Sequence, residues 1–148
     1  MASIIKKPPV KAADLTYDEL VCTDEHKACI REIISSMAET SLVGLYFKET
    51  HLKALGDQIN EVHPLKFLSV IFTDPYLKTC MTVIWDSNIK RGHFLEGLGG
   101  HLDRELAKGK LYSHLEAFGQ DVGVPHEQMR PYFDARDWEN FVVFLMQS

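Results

Sequence analysis

The chain has 148 residues, of which 45% are hydrophobic, and its 16 basic and 21 acidic side chains leave a net charge of −5. This length and composition are typical of a chain that builds one domain around its own core. Proteins that bind nucleic acid usually carry a basic excess or a concentrated basic stripe, so the acidic balance argues against a nucleic-acid partner.

Cysteine usage and hydropathy indicate a cellular location. Cys22, Cys29 and Cys80 are odd in number and lack Cys-x-x-Cys spacing, which argues against a disulfide framework and against a zinc knuckle. The first residues contain no apolar signal-peptide core, and no apolar run reaches transmembrane length. We therefore expect a soluble, cytoplasmic protein with reduced thiols and no membrane partner.

The sequence divides into a tail and a domain. Residues 1–13 should form a flexible basic tail, because the run Lys6-Lys7-Pro8-Pro9 cannot form a helix and offers few apolar groups. Residues 14–148 should form a single helical domain, since helical spacing of apolar residues recurs almost without interruption from Thr16 onward.

The first predicted helix begins at Thr23, a residue type that caps helix N-termini. Ile30, Ile33, Ile34 and Met37 then recur on one face, which is the pattern of an amphipathic helix. A second helix is indicated over residues 45–62 by weaker spacing that glycines interrupt.

Two helices with proline starts follow. Pro64 suits the first helical position, and the next residues are apolar almost all round, which predicts a helix buried on several sides. Asp74 can cap a further helix that has Pro75 at its first position. That helix should end near Asp86.

In the C-terminal half, the sequence predicts one long helix followed by shorter helices. Residues 89–107 should form the long helix, and residues 111–118 a short one that is followed by a turn over 119–124. One more turn should open at Pro125 and stop before Pro131, because proline interrupts a helix.

The last predicted helix is strongly apolar. Asp134 can cap it, and apolar residues from Trp138 to Met146 occupy nearly every face. Together these elements predict an all-α fold, a single compact domain of roughly seven to nine irregularly packed helices.

The densest group of polar side chains lies in the long helix. At about 100° per residue, His93, Glu96 and Asp103 fall opposite the Leu98, Leu102 and Leu106 stripe, which indicates a solvated face. His101 and Glu105 are one turn apart and could share a ligand or proton role. Di-iron bundles need repeated Glu-x-x-His pairs, which the chain lacks, so we predict no metal site and no cofactor.

Other motifs fail where their chemistry needs a specific residue. The run from His126 resembles the start of a zinc-protease helix, but the second histidine position holds Arg130. The glycine-rich run over 97–100 has no preceding strand and no Walker lysine. Cys80 sits on an apolar stripe, where a buried thiol is the usual interpretation. The sequence therefore favours a non-enzymatic function.

Two stretches resemble globins, namely Asp74-Pro75-Tyr76-Leu77-Lys78 and the run from Phe118 to Glu127. On the globin pattern the position of the haem-binding histidine holds Phe118, and the nearest alternative, His114, lies one turn earlier. This departure removes haem ligation as an inference, so the chain is not assigned to the globins, and a haem-free helical fold with a buried pocket stays one of the alternatives.

Three functional hypotheses follow. The first is a protein-protein interaction module, an adaptor or regulator and possible homodimer, because helical spacing is abundant and converging catalytic groups are missing. Its interaction surface would comprise the C-terminal aromatic and thioether side chains Tyr132, Phe133, Trp138, Phe141, Phe144 and Met146.

The second hypothesis is a carrier of a small ligand or cofactor, with a pocket between helices. Its pocket would be lined by Phe67, Phe72, Cys80, His114 and Phe118. The third is a small enzyme that uses His101, Glu105 or His114 as acid or base, which requires these groups to share one cleft.

Overall fold

Seven α-helices and a short 3-10 helix occur in the residues that the computed structural model describes, 15–39 and 62–148. The 3-10 helix spans Tyr17–Glu19. The α-helices are α1 Asp24–Glu39, α2 Pro64–Thr73, α3 Pro75–Trp85, α4 Asn88–Ala107, α5 Leu111–Val122, α6 His126–Ala135 and α7 Trp138–Gln147. The described residues contain no strand, so the predicted all-α, single-domain fold is confirmed.

The first helix forms as its sequence predicts. Thr23 Oγ1 accepts a hydrogen bond from the backbone N–H of His26 at 3.1 Å, which satisfies one of the open donors at the start of α1. Its four predicted core residues are all buried, namely Ile30, Ile33, Ile34 and Met37.

The two proline starts are also confirmed. Pro64 and Pro75 occupy the first positions of α2 and α3, where the missing N–H costs nothing. Asp74 caps α3 by accepting from the N–H of Tyr76 at 2.9 Å. No single described helix is long and apolar enough to cross a membrane, although α2 and α3 pass that test as a pair that is bent by 103°.

The C-terminal half differs from the prediction at three points. Helix α5 continues to Val122, because Gly123 supplies the left-handed cap (φ 75°) four residues later than expected. Helix α6 runs through the exposed Pro131, because Met129 and Phe133 on either side of it are buried in the core. Asp137, not Asp134, caps α7.

The helices pack around an aromatic core. Helix α1 packs mainly against α3, α2 packs against α5, and α5, α6 and α7 follow one another as neighbours. Five phenylalanines are fully buried at the centre: Phe67, Phe94, Phe118, Phe133 and Phe141. The predicted tail over 1–13 and nearly all of the predicted helix over 45–62 lie outside the described residues.

Candidate functional site

The predicted interaction surface divides into buried and partly exposed parts. Phe133 and Phe141 have no exposed surface, and Trp138 is only 8% exposed, so these three belong to the core. Their rings contact one another edge to face, for example Phe133 and Phe141 at 4.8 Å between centroids. The prediction that Phe133, Trp138 and Phe141 belong to an exposed interaction surface is therefore wrong.

Three residues of that surface remain partly exposed. Tyr132 and Phe144 are in contact, with ring centroids 5.5 Å apart. Met146 lies two residues, about 200°, beyond Phe144 on α7, so the two residues flank the buried stripe on opposite sides. They cannot form one continuous surface.

The predicted pocket residues share the protein interior. Phe67 and Phe118 are completely buried, while Cys80 and Phe72 are 6% and 8% exposed. Phe118 packs against the ring of Phe141 at 6.3 Å between centroids. These four residues are apolar contributors to the core, whereas the fifth, His114, is polar.

The long helix α4 buries more polar groups than its sequence predicts. His93 is 8% exposed, so its expected place on a solvated face is wrong. Asp103 accepts a hydrogen bond from the Trp138 indole at 3.0 Å, which explains the position of that ring. Glu96 is exposed, as predicted.

Helices α2, α4 and α5 bring three histidines and a glutamate together. We call His63, His101, Glu105 and His114 the histidine cluster. His63 lies at the start of α2, with its Nε2 atom 3.4 Å from Glu105 Oε1 on α4. The His114 ring, on α5, meets the His63 ring edge to face at 5.2 Å.

His63 is fixed by contacts at both ring nitrogens. Its Nδ1 atom accepts from the backbone N–H of Leu65 at 3.2 Å, so the neutral ring carries its proton on Nε2 and points it at Glu105. Burial lowers the pKa of His63 to about 3, and electrostatic repulsion from the nearby titratable groups His114, His101, Lys108 and Lys66 adds to this effect. His63 is therefore neutral near pH 7.

Glu105 connects this interior to the surface. Its side chain is 7% exposed, and its Oε2 atom accepts from the half-exposed Lys108 ammonium at 2.7 Å. His101 lies one turn before Glu105, and its Nδ1 atom accepts a hydrogen bond from Arg104 at 3.1 Å. The carboxylate thus has an ion-pair partner on its solvent side and an imidazole on its inner side.

His114 differs from His63 in its hydrogen bonding. It is 3% exposed, and within the described part of the chain neither ring nitrogen has a hydrogen-bond partner, although the ring contacts His63 and Tyr17. Burial lowers the pKa of His114, and Lys110 and Lys66 add to this effect while Glu105 opposes it. A neutral imidazole is thus enclosed with one donor and one acceptor uncommitted.

Tyr17 covers the cluster from the N-terminal side. Its ring lies 6.2 Å from that of His114, and its hydroxyl donates to Asp121 Oδ2 at 2.6 Å. The Lys66 ammonium lies 3.8 Å from the Tyr17 ring centroid, within cation–π range. Burial and the bond to Asp121 raise the pKa of Tyr17.

The cluster is not arranged as a metal site. Within 15–39 and 62–148, no three His, Cys, Asp or Glu side chains are placed to hold an ion. In His63, Nδ1 accepts a hydrogen bond from a backbone N–H and the protonated Nε2 faces Glu105, so the one lone pair that could bind a metal is already used.

The sequence named His101, Glu105 and His114 as candidates, and the structure places them in one cluster. Sequence reasoning missed His63, Tyr17 and Asp121, which reach the cluster from other parts of the chain. The sequence does contain one local indication of the role of His63: a side chain with an acceptor directly before Pro64 can cap the helix that begins there.

Fold and cluster together define an all-helical protein with a polar group enclosed between its helices. The chain belongs to the family of unknown function DUF8085, whose sequence model matches residues 21–148. Tyr17 lies just outside that match, whereas the whole histidine cluster lies inside it. No solved structure matches the chain significantly.

One curated relative bears on the expected location. An uncharacterized lipoprotein of Chlamydia muridarum (strain MoPn / Nigg) is 22% identical over 127 residues, which is 85% of this chain and 58% of the relative. The chain therefore spans little more than half of that protein. Because the relative is a lipoprotein, the predicted cytoplasmic location is wrong.

Proposed function

We propose that this protein is a non-enzymatic binding protein that holds a small polar molecule at His114. One observation carries the proposal: His114 is enclosed, neutral and without a hydrogen-bond partner in the described residues. Buried polar groups in native proteins are nearly always paired, and an exception calls for a water, an ion or a ligand. A small molecule with one donor and one acceptor would satisfy both ring nitrogens.

The contacts of the neighbouring residues favour binding over catalysis. His63 uses both of its nitrogens, and its pKa of about 3 removes it as an acid or base near pH 7. Glu105 is engaged by Lys108 and His63. Of the three groups that the enzyme hypothesis named, Glu105 is ion-paired and His101 Nδ1 accepts from Arg104, whereas His114 keeps both ring nitrogens for a bound molecule, which supports recognition.

Native mass spectrometry of the full chain tests the proposal. The protein is incubated with an aqueous small-molecule extract of the cells that produce it, and its intact mass is measured under non-denaturing conditions. We expect a small-molecule adduct on the wild type and on His126→Phe, whose histidine is a partly exposed residue of α6. The adduct should be lost in His114→Phe, and its persistence there would contradict the proposal.

We also propose that this binding domain acts at a membrane. The support is the similarity to a lipoprotein, since covalent lipid is a membrane anchor. Fractionation of cells that express the natural gene tests this: the protein should sediment with membranes and be released by detergent. Recovery in the soluble fraction would contradict it.

A protein-protein interaction module is the second candidate. Its support is the partly exposed Tyr132 and Phe144 pair, because aromatic side chains often anchor interfaces. Sedimentation velocity provides a first test, since self-association that Tyr132→Ser abolishes would support this surface. A strictly monomeric protein would remove the homodimer form of this candidate.

A further inference from the structure

The segment over residues 15–23, which we call the N-terminal strap, packs on α5 beside His114. Its three-residue 3-10 helix places Tyr17 against the His114 ring, and Tyr17 is only 5% exposed. The strap is therefore a wall of the enclosure around His114.

The strap is held by a hydrogen bond, by the Lys66 ammonium on the Tyr17 ring, and by apolar side chains that include the partly buried Leu15 and Cys22. The Tyr17 hydroxyl donates to Asp121 Oδ2 at 2.6 Å. Ser69 of α2 donates to the same oxygen at 3.4 Å and so helps to fix the acceptor, not the strap itself. Leu20 adds one further buried side chain, whereas the neighbouring Val21 is 67% exposed. With two buried side chains and one three-residue 3-10 helix, this segment opens at a lower free energy than the longer helices below it.

An open groove reaches this attachment point from outside. It has a volume of about 320 Å³ and lies between the strap, α1, α2 and α5. Its walls include Cys22 of the strap together with Lys66, Ser69 and Asp121, and the last residue is the acceptor of the Tyr17 bond. One residue of the groove wall thus accepts the hydrogen bond that holds the strap.

We propose that the N-terminal strap is a lid over His114 and that the Tyr17–Asp121 hydrogen bond is its latch. The proposal rests on the proposed function, because it names the route by which a ligand reaches that site. Breaking the latch frees the strap to lift from α5, and the Tyr17 ring then leaves the His114 ring.

Histidine modification by diethyl pyrocarbonate tests the lid without any ligand. The reagent attacks neutral imidazole, and since burial already keeps His114 neutral at pH 7, access limits its rate. We expect Tyr17→Phe to speed modification of His114 about tenfold, as loss of a hydrogen bond to a charged group allows. Peptide mass mapping of the full chain follows each histidine separately.

Internal and matched controls separate lid opening from unfolding. His93 is buried in α4, whereas the strap packs on α5, so the modification rate of His93 should not change. Tyr112→Phe removes a similar tyrosine–aspartate hydrogen bond, to Asp134, and should leave the modification rate of His114 unchanged. Asp121→Asn weakens the same Tyr17–Asp121 hydrogen bond from its acceptor side and should also raise the modification rate of His114.

Two results would overturn the lid. One is an unchanged His114 rate in both Tyr17→Phe and Asp121→Asn, and the other is a parallel rise at His93, which would indicate global opening. Either result leaves the ligand measurement on His114→Phe unaffected. Conversely, a working lid with no small-molecule adduct would reject the proposed function alone.

Discussion

Two buried histidines of the histidine cluster, His63 and His114, differ in their hydrogen bonding. His63 is buried but hydrogen-bonded at one nitrogen and directed at a carboxylate by the other, so its position is explained by structure. His114 is equally buried and lacks such bonds among the described residues. Because an unpaired buried polar group lowers stability, its presence is better explained by a function.

Glu105 and Lys108 provide the first prediction at this scale. Lys108→Met leaves a 7% exposed carboxylate without its cation, whereas Glu105→Gln leaves a half-exposed lysine that water can solvate. We therefore expect Lys108→Met to lower the free energy of unfolding by about 2–3 kcal/mol and Glu105→Gln by about 1 kcal/mol. Urea denaturation measures both, and the reverse order would contradict the geometry.

The sequence named His101, Glu105 and His114 as candidates, but local spacing could bring only the first two together, because they lie on one helix. His101 and Glu105 are four residues apart, so helical periodicity alone places them on the same side of α4. His63 and His114 join them only because α2 and α5 pack together, which no local pattern encodes. The burial of His93 was missed for the same reason, since neighbouring helices decide which face is covered.

At the scale of elements, helix starts were the most predictable features. The caps at Thr23 and Asp74 and the two prolines act through the residues beside them, so sequence reveals them directly. Helix ends were less predictable. Pro131 was expected to stop α6, but packing of Met129 and Phe133 in the core holds the helix together across it.

Gly119 provides the second prediction. A Cβ atom there would lie 2.4 Å from the Val124 carbonyl oxygen, so the loop after α5 has to shift. We expect Gly119→Ala to lower the free energy of unfolding by about 2–3 kcal/mol. The Val124 oxygen belongs to the backbone, so it cannot rotate away as the end of a flexible side chain would.

Gly100 is the matched control for that variant. It lies inside α4, and a Cβ atom there meets nothing within 4 Å. Gly100→Ala should therefore raise the free energy of unfolding by about 0.5–1 kcal/mol, because alanine favours helix. Thermal unfolding followed by circular dichroism measures both, and equal effects would show that the loop contact is unimportant.

At the scale of the whole molecule, the enclosed histidines link folding to pH. The folded-state pKa values of His63 and His114 lie below the unfolded value of about 6.5, so the unfolded chain binds more protons in acid. The contribution of these two histidines to the free energy of unfolding is fully present above the unfolded-state pKa. It is lost as the pH falls towards the folded-state pKa, which is about 3 for His63.

The third prediction is the slope of this dependence. Each histidine that stays neutral in the fold contributes about 1.4 kcal/mol per pH unit well below pH 6.5. His63→Asn removes one such group while keeping a side chain that caps α2, so the slope should become shallower. Urea unfolding between pH 5 and pH 7.5, roughly the range of histidine titration, measures it. An unchanged slope would contradict the assignment of His63.

Thermal unfolding of wild type and His114→Phe, with and without the small-molecule extract, tests the central claim most directly. Without extract, the variant should melt roughly 3 °C higher, because it replaces an unpaired buried polar group by an apolar ring. With extract, only the wild type should gain stability, since only it binds. A variant that melts lower and still responds to the extract would show that His114 is a structural residue and that the ligand site lies elsewhere.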